Sequence, residues 1–294
     1  MIPPRSILAT TDFSEASRVA VVFAACLAKT CDATFHLLHA EDPLLTAAAR
    51  LASIDLSADT RAALQEFIGT SRPVIDYAPL HHVVSGPAAE VIVDVAAREN
   101  TDLIVVGSRG MSGAQQLIFG STTEGVLRRA RTPVLVVPPG WSPVDPAAPD
   151  LSGTGPIVAG IDFSGPSIEA AAAACALAGA LGTEVEVVHV VPDLPVPERW
   201  RAHVDAALRR RIDDAREQLA AAVLSLGSSV PVHTRVESGH VAERLAAIAA
   251  SDGHRRPILV LGRRPGRLGA PPGAIAYRTL MLAGVPVLVY VPRA

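Results

Sequence analysis

A glycine-rich segment followed by a run of hydroxyl residues is the part of the chain best suited to hold an anionic ligand. It begins with Gly107-Ser-Arg-Gly110 and, after nine further residues, continues with Gly120-Ser121-Thr122-Thr123. Glycines let the backbone approach a ligand closely, because they carry no Cβ. If a helix starts at Ser121, its unpaired amides and the positive end of its dipole favour a phosphate group. The spacing therefore predicts a phosphate-binding loop.

A second interpretation makes some of the same residues helix caps. Ser121 and Glu124 have the spacing of a capping box, in which each side chain satisfies a backbone amide of the other residue. Asp12, which follows the first predicted strand, can likewise cap the next helix. A capping box does not explain the upstream glycines, so phosphate binding is favoured for the loop. For Asp12 the two roles are compatible, because a cap can also face a ligand.

Composition limits the class of protein that carries this loop. Of 294 residues, 49% are hydrophobic and 19% are charged, with a net charge of −3. This is typical of a globular chain, and neither nucleic acid nor a membrane is expected as a partner. Because no signal-peptide core is found, a cytoplasmic protein is expected. Its three cysteines stand in apolar stretches, so buried thiols are expected. The single lysine, Lys29, stands in a predicted helix, so a Walker-type lysine is excluded.

The sequence repeats itself once. Asp12-Phe-Ser recurs at Asp162, and the histidine at the end of an apolar run, His39, recurs at His189, each 150 residues later. A Gly-x-x-x-Glu motif and the last apolar run also recur, 153 residues later. A duplicated domain is therefore predicted. Its expected parts are a first domain at 1–140, a proline-rich linker at 141–155 and a second domain at 156–294.

Each copy alternates short apolar strands with helices. In the first copy we expect strands at 6–10, 33–39, 81–84, 103–107 and 134–137, and helices at 15–29, 45–69, 87–99 and 121–129. Continuous rather than alternating apolar strands predict a parallel sheet covered on both faces, hence an α/β fold. Ligands of such sheets bind beyond the carboxyl ends of the strands. His39 and His189 have no ligand cluster nearby in the sequence, so a hydrogen-bonded structural role is expected. His81 and His82, as strand neighbours, face opposite ways and cannot chelate one ion.

The motif Gly107-x-x-Gly110-x9-Gly120-Ser121, with Asp12 after the first strand and a final Pro-Val-Leu-Val-Val strand, resembles the universal stress protein family. The resemblance covers nearly the whole chain twice. It implies two tandem, doubly wound, five-stranded parallel-sheet domains of strand order 3-2-1-4-5, related by a pseudo-two-fold axis, and binding of ATP with Mg2+. It implies that Thr11 and Asp12 meet the adenosine end and that Ala40 offers its backbone to adenine. The residues that it places around the phosphates are Gly107, Arg109, Gly110, Gly120, Ser121, Thr122 and Thr123.

The second copy departs from this motif. Pro265 stands where the second glycine is expected, the loop is two residues shorter, and Ala274 and Ala276 replace Ser121 and Thr123. We therefore expect ATP in the first domain only.

The sequence offers no convincing nucleophile–base pair, so a stress-response sensor or regulatory module is favoured over rapid catalysis. The alternatives are a slow ATPase or nucleotide-dependent transferase on the same site, and a dimerisation scaffold that binds no nucleotide. The resemblance also implies that the final strands of the two domains pair within the chain, and a homodimer is a further option.

Overall fold

The computed structural model covers most of both copies. The described residues are 3–70, 79–108, 120–143, 150–151, 153–193, 201–251, 256–263 and 273–292. The described residues from Pro4 to Leu151 form one compact unit, and those from Gly153 to Pro292 form another. Arg109, Gly110 and Pro265 lie outside the described residues.

The first unit alternates strands and helices along the chain. Its elements are β1 (Ser6–Thr10), α1 (Glu15–Cys31), β2 (Thr34–Glu41), α2 (Pro43–Leu51), α3 (Leu56–Thr70), β3 (Leu80–Ser85), α4 (Ala88–Arg98), β4 (Leu103–Gly107), α5 (Ser121–Arg129) and β5 (Val134–Val137). The neighbouring strands pair in parallel in the order β3-β2-β1-β4-β5. Ile7, Leu8 and Ala9 of β1 are completely buried, because helices cover the sheet. The predicted α/β fold and its 3-2-1-4-5 strand order are confirmed.

The second unit repeats this architecture. Its elements are β6 (Ile157–Gly160), α6 (Gly165–Leu181), β7 (Val185–Pro192), α7 (Arg201–Leu226), β8 (Val232–Gly239), α8 (Val241–Ser251), β9 (Ile258–Gly262), α9 (Ala274–Leu282) and β10 (Val287–Tyr290). Its strands also pair in parallel, in the order β8-β7-β6-β9-β10. Renumbered within the unit, this is again 3-2-1-4-5. Within the described parts of the chain, the helices are too short or too polar to cross a membrane.

The stretch predicted as one helix at 45–69 is two helices, so that expectation is wrong. Ser53 has a left-handed backbone with φ of 58°, and the Ile54 amide donates to the Ala49 carbonyl at 2.9 Å, which ends α2. Asp55 Oδ1 then accepts from the Ala58 amide at 3.1 Å and starts α3. The break thus divides the connection between β2 and β3 into two helices.

The expectation of three buried thiols is correct only for Cys26. Cys26 is buried, whereas Cys31 and Cys175 are half-buried, and all three are free cysteines. Burial raises the pKa of the Cys26 thiol to about 12 and that of Cys31 to about 11. Both thiols are therefore almost fully protonated at neutral pH, and neither has the character of a nucleophile.

Candidate functional site

The turn after β1 is fixed by hydrogen bonds from hydroxyl and carboxylate groups. Thr11 Oγ1 accepts from the Phe13 amide at 3.0 Å and lies 3.1 Å from Ser17 Oγ. Asp12 Oδ1 accepts from the Ser14 amide at 3.1 Å and from the Ser14 hydroxyl at 2.5 Å. These bonds stabilise Phe13 in the left-handed region, at φ of 63°, which is uncommon for a bulky residue. As a result, Asp12 is held at the carboxyl end of β1 with its side chain partly exposed.

The residue that caps α1 is Ser14, so the interpretation of Asp12 as the cap is wrong. Ser14 Oγ accepts from the Ser17 amide at 3.2 Å, which is the hydrogen bond of an N-cap serine. Ser17 was missed by sequence reasoning, yet its buried hydroxyl accepts from the Asp12 amide at 3.4 Å. Its equivalent in the second unit, Ser167, accepts from the Asp162 amide at 3.2 Å. A serine that recurs 150 residues later in the sequence was the signal that could have found it.

His39 and His189 support these turns. The Nδ1 atom of His39 lies 2.9 Å from the Thr11 carbonyl, and that of His189 lies 2.8 Å from the Ile161 carbonyl. A carbonyl only accepts hydrogen bonds, so each ring carries its proton on Nδ1. The His39 ring also packs on Phe13, with ring centroids 4.5 Å apart. The predicted role as hydrogen-bonded structural histidines is confirmed.

Ala40 lies near the carboxyl end of β2, in register with Val84 of β3. The last residue of β1, Thr10, pairs with Leu38, and the Leu38 carbonyl accepts from the Thr11 amide at 2.9 Å. Alternate residues of a parallel strand bond to opposite neighbours, so the peptide groups of Ala40 face the same side as those of Leu38. Because β1 has already ended there, the Ala40 backbone faces the turn that carries Asp12.

The two ends of the glycine loop are joined at the carboxyl end of β4. The Ser108 amide donates to the Val137 carbonyl at 2.9 Å, which extends the pairing of β4 with β5. The Gly120 amide donates to the Ser108 carbonyl at 3.1 Å. The start of α5 is therefore fixed next to the end of β4, while residues 109–119 lie outside the described part of the chain. Since β4 is the neighbour of β1 in the sheet, the loop ends lie on the same edge as Asp12.

Gly120 is the N-cap of α5, with φ of −59° and ψ of 143°, and no side chain among the described residues caps this helix end. The capping box of Ser121 and Glu124 is therefore wrong. Ser121 is the first helical residue and is exposed, and Thr122 is half-buried. Glu124 Oε1 instead accepts from Arg128 Nε at 3.1 Å. Among the described residues, no side chain therefore satisfies the amides of the first turn of α5.

Thr123 differs from Ser121 in what its hydroxyl does. Thr123 Oγ1 donates to the Gly107 carbonyl at 2.7 Å, and the residue is only 4% exposed. Its hydroxyl hydrogen is used within the protein, so it cannot at the same time be donated to a phosphate. Thr123 therefore ties the first turn of α5 to the end of β4, and Ser121 is the exposed hydroxyl of that turn.

The second unit keeps the backbone at this position and loses the hydroxyl groups. Gly273 caps α9 with φ of −49° and ψ of 149°, close to the values at Gly120. The buried Ala276 stands in the place of Thr123, and Arg263 stands in the place of Ser108. Burial lowers the pKa of Arg263 below its ordinary value. Among the described residues, the two copies thus differ here in their side chains and not in the start of the helix. Pro265 and the shortened loop lie outside the described residues.

Both units are doubly wound α/β domains in which the strand order reverses between the first and fourth strands. Such folds bind ligands at the carboxyl ends of these two strands. In the first unit, the Asp12 turn, the Ala40 backbone and the start of α5 lie there. The sequence pattern of the universal stress protein family matches residues 4–138 and again residues 153–291. The chain therefore belongs to the universal stress protein family, as a member with two tandem domains.

Individual relatives agree with this assignment. A universal stress protein of Mycolicibacterium smegmatis is 29% identical over 214 residues, which cover 70% of this chain and 66% of that protein. A universal stress protein of Methanocaldococcus jannaschii is 40% identical over 55 residues, covering 19% of this chain and 34% of that protein. The chain thus spans less than two thirds of either relative. A crystal structure of a universal stress protein from Archaeoglobus fulgidus aligns with 99% of both chains at 20% identity and a TM-score of 0.63, which supports the fold.

Proposed function

We propose that the first unit binds ATP together with Mg2+ and acts as a nucleotide-dependent regulatory module in a stress response. The observation that carries this proposal is the start of α5. No described side chain caps that helix end, the exposed Ser121 is its first residue, and Gly120 is bonded to the end of β4. Amides of this kind, together with the helix dipole, favour a phosphate chain.

The adenosine end of the ligand is proposed to lie on the neighbouring turn. The Ala40 backbone faces the space left where β1 ends, and Asp12 borders the same space. Peptide groups and a carboxylate can recognise the polar edges of adenine and ribose by hydrogen bonding. Among the proposed phosphate contacts, Gly107, Gly120, Ser121 and Thr122 lie at this edge of the sheet, and Arg109 and Gly110 follow in the undescribed loop. For Thr123 we propose a positioning role through its bond to the Gly107 carbonyl.

Magnesium fits this site as a partner of the phosphates rather than of the protein. Asp12 is the carboxylate of the candidate site, and its Oδ1 already accepts two hydrogen bonds from Ser14. Mg2+ commonly keeps several waters and is held by substrate phosphates with one or two carboxylates. The ion would supply charge neutralisation for the phosphate chain.

We favour binding over rapid hydrolysis. The sequence offers no convincing nucleophile–base pair, and His39, whose Nδ1–H is donated to the Thr11 carbonyl and whose ring packs on Phe13, has a structural role in the Asp12 turn. A slow ATPase or a nucleotide-dependent transferase predicts sustained product formation from bound ATP. A scaffold that binds no nucleotide predicts that ATP leaves the melting temperature unchanged.

Two further points belong to this proposal. We propose that the second unit lacks a tight ATP site, because its equivalents of Ser121 and Thr123 are alanines. Pairing of the final strands, within one chain or between two chains, stays a prediction. Sedimentation velocity tests it: pairing within the chain predicts a monomer, and pairing between chains predicts a dimer.

The direct test is an ATP titration by calorimetry, with cyclic AMP as the comparison ligand. Cyclic AMP keeps the adenosine but lacks the triphosphate chain, so it reports how much binding comes from the loop. The proposal predicts that ATP with Mg2+ binds more tightly than cyclic AMP. Equal affinities would show that the glycine loop does not hold the phosphates.

A further inference from the structure

Three side chains with metal-binding atoms meet on one face of the first unit. They are His36 of β2, His82 of β3 and Glu99, which follows α4. His36 Nδ1 lies 3.0 Å from His82 Nε2, and one ligand atom from each of the three residues lies within 4.8 Å of the others. Sequence reasoning considered His82 only with its chain neighbour His81. The true partner comes from the adjacent strand.

The strand register explains why these histidines meet. In the β2–β3 pairing, Leu38 lies opposite His82, and His36 lies opposite Leu80. Residues two apart on a strand share a face, so His36 and His82 are diagonal neighbours on the same face of the sheet. Helix α4 packs against β2, which brings Glu99 to this face.

The cluster is separate from the proposed nucleotide site. His36 lies in the first half of β2, whereas Ala40 lies near its carboxyl end. Four residues of a strand span about 13 Å. The cluster shares no residue with the proposed ATP site.

The two histidine rings are largely shielded from solvent. His36 is buried, with 4% exposure, and the His82 side chain is 14% exposed. The two rings are nearly parallel, with centroids 5.3 Å apart.

We propose that His36, His82 and Glu99 form a binding site for a divalent transition metal, with Zn2+ as the best-fitting ion. Two imidazoles and a carboxylate are a ligand set that Zn2+ uses, with water in the fourth tetrahedral position. Metal–ligand bonds of ~2.0–2.2 Å separate the ligand atoms by about 3.4 Å. The two histidine nitrogens are thus close to the required separation and need to open only slightly.

Glu99 is the ligand that has to move. Its Oε1 lies 4.0 Å from His82 Nδ1, which is not the nitrogen that faces His36, so the carboxylate has to move towards Nε2 to share one ion with both rings. The same oxygen accepts from Arg98 Nε at 2.9 Å. The Arg98 side chain is 57% exposed, so it can turn towards solvent when the carboxylate binds the ion. A bound ion would connect the edge strand β3 to β2 and to the end of α4, so its expected effect is to stabilise this side of the unit.

The experiment uses the full chain after treatment with a chelator and without nucleotide, because ATP itself binds metals. Co2+ is titrated while visible absorption is recorded, since tetrahedral Co2+ absorbs far more strongly than the hydrated ion, and Zn2+ is then added as a competitor. We expect one tight Co2+ per chain, its displacement by Zn2+, and a rise in melting temperature with either ion. The variants His82→Gln and Glu99→Gln should each lose at least about tenfold in affinity, because even residues that only orient metal ligands are worth ~10–100-fold.

His81→Gln is the matched control, because His81 is exposed and faces the other side of the same strand. It should bind Co2+ as the parent chain does. Circular dichroism and melting of the metal-free variants show whether each one folds, and Glu99→Gln keeps the test valid if His82→Gln does not. The proposal is overturned if the parent gives no tetrahedral spectrum at millimolar Co2+. It is equally overturned if folded Glu99→Gln keeps the parent's affinity, since Glu99 would then not be a ligand of the bound ion.

Discussion

Replacing Ser121 and Thr123, two of the three hydroxyl residues at the start of α5, one at a time should separate ligand binding from folding. Ser121 is exposed and does not cap the helix, whereas Thr123 is buried and donates to the Gly107 carbonyl at 2.7 Å. Ser121→Ala removes no hydrogen bond to any of the described residues, so the free energy of unfolding should change by less than ~0.5 kcal/mol. If the hydroxyl donates to a phosphate, its loss should weaken ATP binding by about 1.5–3 kcal/mol, or at least roughly tenfold.

Thr123→Val keeps the shape of the side chain and leaves the buried Gly107 carbonyl without its donor. Such a loss costs about 1–3 kcal/mol of stability. For a unit of this size, that corresponds to a fall in melting temperature of roughly 2–12 °C. The main effect of Thr123→Val should therefore be on the melting temperature, and that of Ser121→Ala on ATP affinity.

Calorimetric titration with ATP and thermal melting without it are measured on the same preparations. Ala274→Ser, which adds a hydroxyl at the position equivalent to Ser121, is the control for a non-specific effect of the substitution. If Ser121→Ala melts lower and binds ATP as tightly as the parent chain, Ser121 is a structural residue and the assignment of the phosphate site is refuted.

Three further predictions follow from particular residues. Ala274→Ser combined with Ala276→Thr should not create a second tight ATP site, as judged by calorimetric stoichiometry, because Pro265 and the shortened loop remain; a second site of equal affinity would show that hydroxyls alone are missing. Gly262→Ala should lower the melting temperature strongly, because the added Cβ would lie 2.5 Å from the Pro166 carbonyl, whereas Gly273→Ala meets nothing within 4 Å; equal melting temperatures would contradict this packing. Because burial raises the pKa of Cys31 to about 11 and that of Cys26 to about 12, alkylation at pH 8 in the folded chain should be at least about a hundredfold slower than for a free cysteine of pKa ~8.5. Mass spectrometry measures the alkylation rate of each of the two cysteines, and in denaturant both rates should rise to that of a free cysteine.

The fold could be predicted from the sequence because the signal is strong and repeated. Continuous apolar strands separated by helices indicate a covered parallel sheet, and the duplication shows the pattern twice. The break between α2 and α3 could not be predicted in the same way. It depends on a left-handed Ser53, a residue type that gives little sign of that conformation, unlike glycine.

The position of the candidate site could be predicted from the sequence, but the role of each of its residues could not. The second unit keeps Gly262, which helix α6 requires for packing, although its loop has lost the phosphate-type residues. A glycine at the end of the fourth strand is therefore a sign of close packing as well as of ligand binding. Sequence reveals that Thr123 has a hydroxyl group but not that it points to Gly107. The pair His36–His82 depends on the strand register, which spacing along the chain does not reveal.

The central claim is that this chain has one ATP site, located in its first unit. The most direct measurement is calorimetric titration of the nucleotide-free full chain with ATP and Mg2+, which gives the number of sites per chain. We expect one tight site per 294 residues, and we expect Ser121→Ala to weaken that site. No binding at all, or two sites of equal affinity, would contradict the account.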